Sequence, residues 1–150
     1  MCWCGKEEHL KIAENDITVV KVLYKTPKTY DDNFMLLSPY RDMKYEVGEE
    51  YKQKILPSGY CIKGLLIEYG LHCYSKHCKK RIFNGQGEIK LKIYSKKTAD
   101  PLDTFFASSD KKRSIILAEF IIPSGTRFYE NEAGEIVTEK YKFLRYEDVQ

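Results

Sequence analysis

Five cysteines and three histidines are the residues of this 150-residue chain whose types could carry chemistry. Cys2 and Cys4 form a C-x-C pair, and Cys73 and Cys78 form C-x4-C with His72 and His77 beside them. Thiolates with imidazoles are what tetrahedral zinc prefers, so Cys2, Cys4, Cys73 and Cys78 are the set that a zinc ion would take. Neither spacing is the common C-x2-C knuckle, and cysteine is also a frequent small core residue. The expectation is therefore unligated, reduced thiols and no cofactor, with Cys61 a buried or half-buried small residue. His72 lies between Leu71 and Cys73, and alternation along a strand would turn its side chain away from theirs. No nucleophile with a partner carboxylate can be placed beside it, so it reads as a hydrogen-bonded structural histidine before it reads as a base. A second cluster needs no reaction. The loop Ser38-Pro39-Tyr40-Arg41-Asp42-Met43-Lys44-Tyr45 brings a guanidinium, an ammonium and two phenol rings together, which suits phosphate and base recognition. Tyr40, Arg41, Lys44 and Tyr45, with His72, are the candidate ligand-binding residues; alternation leaves Tyr45 the second option of pointing into the core.

These residues must be held by a β framework. Hydrophobic residues make up 43% of the chain and charged ones 31%, a globular composition, and no apolar run approaches the roughly 20 residues of a membrane span. Residues 1–150 read as a single domain, and the absence of an apolar leader points to the cytoplasm, where thiols stay reduced. A net charge of +3, spread over several loops, argues against nucleic acid as a partner. Residues 17–25 (ITVVKVLYK) read as a buried, central strand, Lys44–Lys52 as a short strand bent at Gly48, and 71–75 as another buried strand. Ile62–Glu68 fits a short helix or a strand, and Glu88–Ser95 is a clean alternating strand. In 115–144, apolar runs flank Pro123-Ser124-Gly125 and Asn131-Glu132-Ala133-Gly134, which predicts three strands and two turns as a closing β-meander, with φ > 0 near Gly134. Trp3 reads as a plug over one end of the core. The fold class expected is mainly β, an antiparallel sheet or partly open barrel with one or two short helices.

The combination of CWCG, DITVVKVLYK, SPYRDMKYEVGEEY, YGLHCYSK and IIPSGTRFYENEAGEIVTEKYKFL resembles a group of small proteins from gut Bacteroidetes-type bacteria, their phages and prophages. The resemblance implies a setting and no reaction: an accessory binding protein of the phage or mobile-element type, non-catalytic, that sequesters a small anionic, nucleotide-like ligand or masks a host defence protein. Its partner would be that ligand or a host protein, with no membrane, and with homo-oligomerisation left open. A second resemblance concerns Glu119. In RSIILAEFIIP the pleat puts Ile115, Leu117, Glu119 and Ile121 on one face, so one carboxylate interrupts an apolar row. A glutamate before three apolar residues and then P-x-G-T resembles the last catalytic strand of ADP-ribosyltransferases, which implies an enzyme in which Glu119 stabilises an oxocarbenium-like transition state. Leu117 stands where such enzymes carry an acidic residue or glutamine, and no S-T-S strand is present. The alternative expectation is a glutamate at a strand edge or paired with a cation.

Overall fold

The computed structural model describes residues 3–26, 28, 30, 33–38, 43–76 and 114–148. Among them the strands are β1 (Trp3–Gly5), β2 (Leu10–Ile12), β3 (Ile17–Lys25), β4 (Leu36–Leu37), β5 (Lys44–Tyr45), β6 (Glu50–Lys52), β7 (Leu56–Cys61), β8 (Gly64–Tyr69), β9 (Leu71–Ser75), β10 (Ser114–Ile122), β11 (Arg127–Glu130), β12 (Glu135–Thr138) and β13 (Lys140–Asp148). The helical content of the described residues is one 3-10 turn, Glu7–His9. The protein is mainly β and antiparallel, as its sequence predicts.

The larger sheet runs β2-β11-β12-β9-β3-β10-β13-β6, with β4 and β5 added beside β3. Among the described strands its ends β2 and β6 do not pair with each other, so it is not closed into a barrel. β3 lies at its centre, registered against β10 along its whole length from Lys25↔Ser114 to Ile17↔Ile122. That position suits a β-branched run whose residues can be buried on either face. A second sheet, β1-β8-β7, has its own hydrogen-bonded ladder.

The pleat sorts side chains into two cores. Ile116, Ala118, Phe120 and Ile122 of β10 join Val19, Leu23, Leu71, Cys73, Tyr141 and Phe143 in the main one. The other gathers Trp3, Ile55, Leu65, Ile67, Tyr129 and Val137, where the small sheet packs on the large one. Neighbours along β11 and β12 go to opposite cores, Phe128 and Ile136 to the first, Tyr129 and Val137 to the second. This is the period-2 alternation at work. Trp3 plugs the second core at 1% exposure and donates its indole N–H to the Glu135 carbonyl at 2.8 Å.

Gly70 is the one residue between β8 and β9, where the chain leaves the small sheet for the large one. Its φ of 140° is open to glycine, and a Cβ there would strike Val137. The C-terminal third departs in detail from a simple meander. Four strands form, because the expected third one breaks at Glu139, and β11–β12 is the only neighbouring hairpin among them. β10 pairs instead with β13, across the connection. Asn131 closes the β11–β12 turn by accepting from the Ala133 and Glu135 amides on its side-chain oxygen, and Gly134 follows with the expected positive φ. The segment 62–68 resolves as strand β8, and the expected strand Glu88–Ser95 lies outside the described residues.

The expectation of reduced thiols is corrected at one pair: Cys4 and Cys61 form a disulfide. β1 and β7 flank β8 on its two sides, and this brings their cysteines to a Cα separation of 6.4 Å although they are 57 positions apart in sequence. An odd count of five still allows one bridge. Among the described residues no helix is long and apolar enough to cross a membrane.

Candidate functional site

The loop site breaks apart at β5. This strand pairs with β4 through Leu36↔Tyr45 and Leu37↔Lys44, and consecutive strand residues face opposite ways. Lys44 is exposed. Tyr45 is 4% exposed and packs edge-on against Phe120 and Tyr51. Its hydroxyl shares a 2.6 Å hydrogen bond with that of Tyr141 inside the main core. Lys44 and Tyr45 therefore cannot line one surface. Tyr40 and Arg41 lie outside the described residues; the base of their loop is closed by the Ser38 amide donating to the Met43 carbonyl at 3.0 Å.

The buried phenol pair has a measurable consequence. Burial pushes Tyr45 up to about 12, partly offset by the hydrogen bond from Tyr141, and burial likewise raises Tyr141 well above its ordinary value. An unfolded tyrosine releases its proton near 10. Below that the two states hold the same protons and the stabilisation is complete; as pH rises from about 10 through about 12 the unfolded chain ionises first, and stability falls. Urea unfolding followed from about pH 8 to about pH 12 should show a loss of about 2–3 kcal/mol from Tyr45 alone. The slope should shrink in a Tyr45→Phe, Tyr141→Phe variant. A pH-independent midpoint would place the pair in water.

Glu119 is held by a cation. It is 7% exposed, and its two oxygens accept from Arg145 Nε at 2.9 Å and Nη2 at 3.0 Å, a fork-to-fork pair. A bulge creates the meeting: the register jumps from Glu119↔Arg145 to Phe120↔Phe143, leaving Leu144 as the extra residue. Without it Leu144 would stand opposite the carboxylate. A transferase would need this oxygen pair for a ribose hydroxyl, and here a guanidinium already occupies it. His72 is half-buried on β9, opposite Leu71 and Cys73 as alternation predicts, and its Nε2–H donates to the Glu68 carbonyl at 2.9 Å. It is a hydrogen-bonded strand histidine.

Cys4 is bonded to Cys61, while Cys73 is fully enclosed in the main core, where burial pushes its thiol up to about 12. Cys2 and Cys78 lie outside the described residues, and among those described no three or more His, Cys, Asp and Glu side chains gather as a metal site. An open depression of ≈ 470 Å³ lies beside β2 and is lined by Lys11, Ile12, Ala13, Glu14, Asn15, Ile17 and Phe128. It shares no residue with the sites read from the sequence. Its charges are one of each sign.

What sequence reasoning missed is the β7–β8 hairpin. Leu56, Tyr60 and Ile62 are exposed on it, Tyr60 at 85% and Ile62 completely. Ile62-Lys63 is a two-residue turn between Cys61 and its partner Gly64. Pro57 and Gly59 hide β7 in the sequence because both are poor strand residues. Gly64 has φ 126°, and a Cβ on it would come within 2.8 Å of the Gly5 carbonyl oxygen. Only glycine lets β1 approach this closely, and the Cys4–Cys61 bridge is made at that point. Between residues 54 and 67 the only charges are Lys54 and Lys63. The result is an apolar, cationic finger with a covalent tie at its tip. Comparison with protein-family models, curated proteins and solved structures finds no match.

Proposed function

We propose that this chain is a non-catalytic protein-binding module that inserts the tip Tyr60-Cys61-Ile62-Lys63 into an apolar groove rimmed by carboxylates on a partner protein. The exposure of Tyr60 and Ile62 on a cross-linked hairpin carries the reading. Apolar side chains presented to water on a fixed element lose little conformational entropy when they are buried, and aromatic residues dominate the energetics of such contacts. Lys63 beside them, with no carboxylate nearer in sequence than Glu68, favours an acidic rim. The resemblance to phage and prophage proteins makes a host protein the partner we favour, with masking of that protein as the outcome. Catalysis has less support, since Glu119, His72 and Cys73 are each engaged or enclosed.

A photoreactive phenylalanine analogue at Ile62 should crosslink to one partner in producing cells, while the same analogue at exposed Leu144 should not. Tyr60→Ala should weaken that complex by about 2 kcal/mol or more, and Lys63→Glu should lower the adduct yield. Equal labelling from both positions, or none from Ile62, would put the docking surface elsewhere.

A further inference from the structure

We infer that the Cys4–Cys61 bridge is a thiol-controlled switch for the β7–β8 finger, a conclusion that rests on the docking reading for its purpose but not for its mechanics. The two strands joined by the bridge are held very unequally. β1 is anchored by Trp3 in the second core, by the indole bond to Glu135 and by the Asn131 side-chain amide donating to the Cys4 carbonyl at 3.0 Å. β7 has none of these. Its residues are exposed or half-buried from Leu56 to Cys61, among the described strands it pairs with β8 alone, and that pairing is irregular at Leu56/Pro57 and again at Pro57/Gly59. The covalent tie to β1 thus adds to the β8 ladder in fixing the finger, and removing it leaves β1 in place while β7 is left with that irregular pairing.

The bridge is also placed for exchange. Both cysteines are half-buried, unlike the enclosed Cys73, and Cys61 adjoins the fully exposed Ile62. Lys6 and Lys63 each stand two residues beyond a bridge cysteine in sequence. The Leu65 carbonyl lies 3.5 Å from Cys61 Sγ, so the reduced thiol has an acceptor waiting for its proton. A dithiol reductant supplies the two electrons. Its thiolate attacks Cys61 Sγ, forming a mixed disulfide and releasing Cys4 as a thiolate that takes up a proton. The reductant's second thiol, as thiolate, then attacks its own sulfur in the mixed disulfide, leaves as a cyclic disulfide, and frees Cys61, which is protonated in turn.

The test compares the oxidised protein with the same protein in excess dithiothreitol by amide relaxation. Order parameters for Gly59, Tyr60 and Cys61 should fall from about 0.85 to below about 0.6 on reduction, while those of β3 and β10 stay near 0.85. A Cys4→Ser, Cys61→Ser variant should match the reduced protein with or without reductant. Unchanged values in β7, or a loss shared by β3 and β10, would overturn the switch. Crosslinking from Ile62 separates the two ideas. A yield about tenfold lower for reduced protein supports gated docking; equal yields overturn the gating and leave docking standing; no adduct from either form overturns docking while the relaxation result still decides the switch.

Discussion

Phe120→Ala should lower the stability of the protein by about 3–5 kcal/mol, the range for emptying an aromatic site in a packed core. Phe120 is fully buried, stacks on Tyr141 at 4.2 Å and on Phe143 at 4.8 Å, and receives the edge of Tyr45 at 5.4 Å. Removing the ring takes a contact from each of the other three at once, and stiff neighbours in adjoining strands cannot collapse into the space. A urea midpoint shift of that size, with Phe120→Leu recovering part of it, is the expected pattern. A loss under about 1 kcal/mol would mean that the ring does not sit at the centre of this core.

Nearly as large an effect should follow from losing the disulfide. A cross-link closing a 57-residue separation restricts the unfolded chain by about 4 kcal/mol in the loop-entropy account. The Cys4→Ser, Cys61→Ser variant should be less stable by about that amount, and reductant should destabilise the native chain while leaving the variant unchanged. Denatured wild-type protein titrated without reductant should give no more than three thiols, since two of the five cysteines are bonded to each other. Five thiols would remove the bridge from the account.

The parts of this fold that could be read from sequence are those in which each residue is constrained by a core. β10 declares both of its faces by alternation, β3 is long and β-branched, and Leu71, His72 and Cys73 sort themselves correctly in β9. Strands whose support comes from distant partners gave no signal: β1 and β2 have three residues each, and β7 contains Pro57 and Gly59. The candidate ligand loop was read by composition, and the two-residue strand β5 divides it by sending Tyr45 inward and Lys44 outward. Arg145 could not be named as the partner of Glu119, because the bulge that aligns them has no sequence mark of its own. The finger escaped notice for a related reason. Tyr60 and Ile62 look like ordinary strand residues until it is known that β7 has a neighbour on one side only among the described residues.

Trp3 donates its indole hydrogen to a carbonyl 132 residues further along, and β3 pairs along its full length with a strand that begins at residue 114. On a ribosome adding about 5–20 residues per second, β3 waits about 5–20 s after its own synthesis before β10 has been made. Throughout that interval one hydrogen-bonding edge of an apolar nine-residue strand is open to whatever else is nearby, so the hazard for this protein is greatest during its birth. A product truncated before β10 has no route to the native sheet, because β3 pairs with β10 along its whole length. Trp3 is made before Glu135 and is among the last residues to find its place.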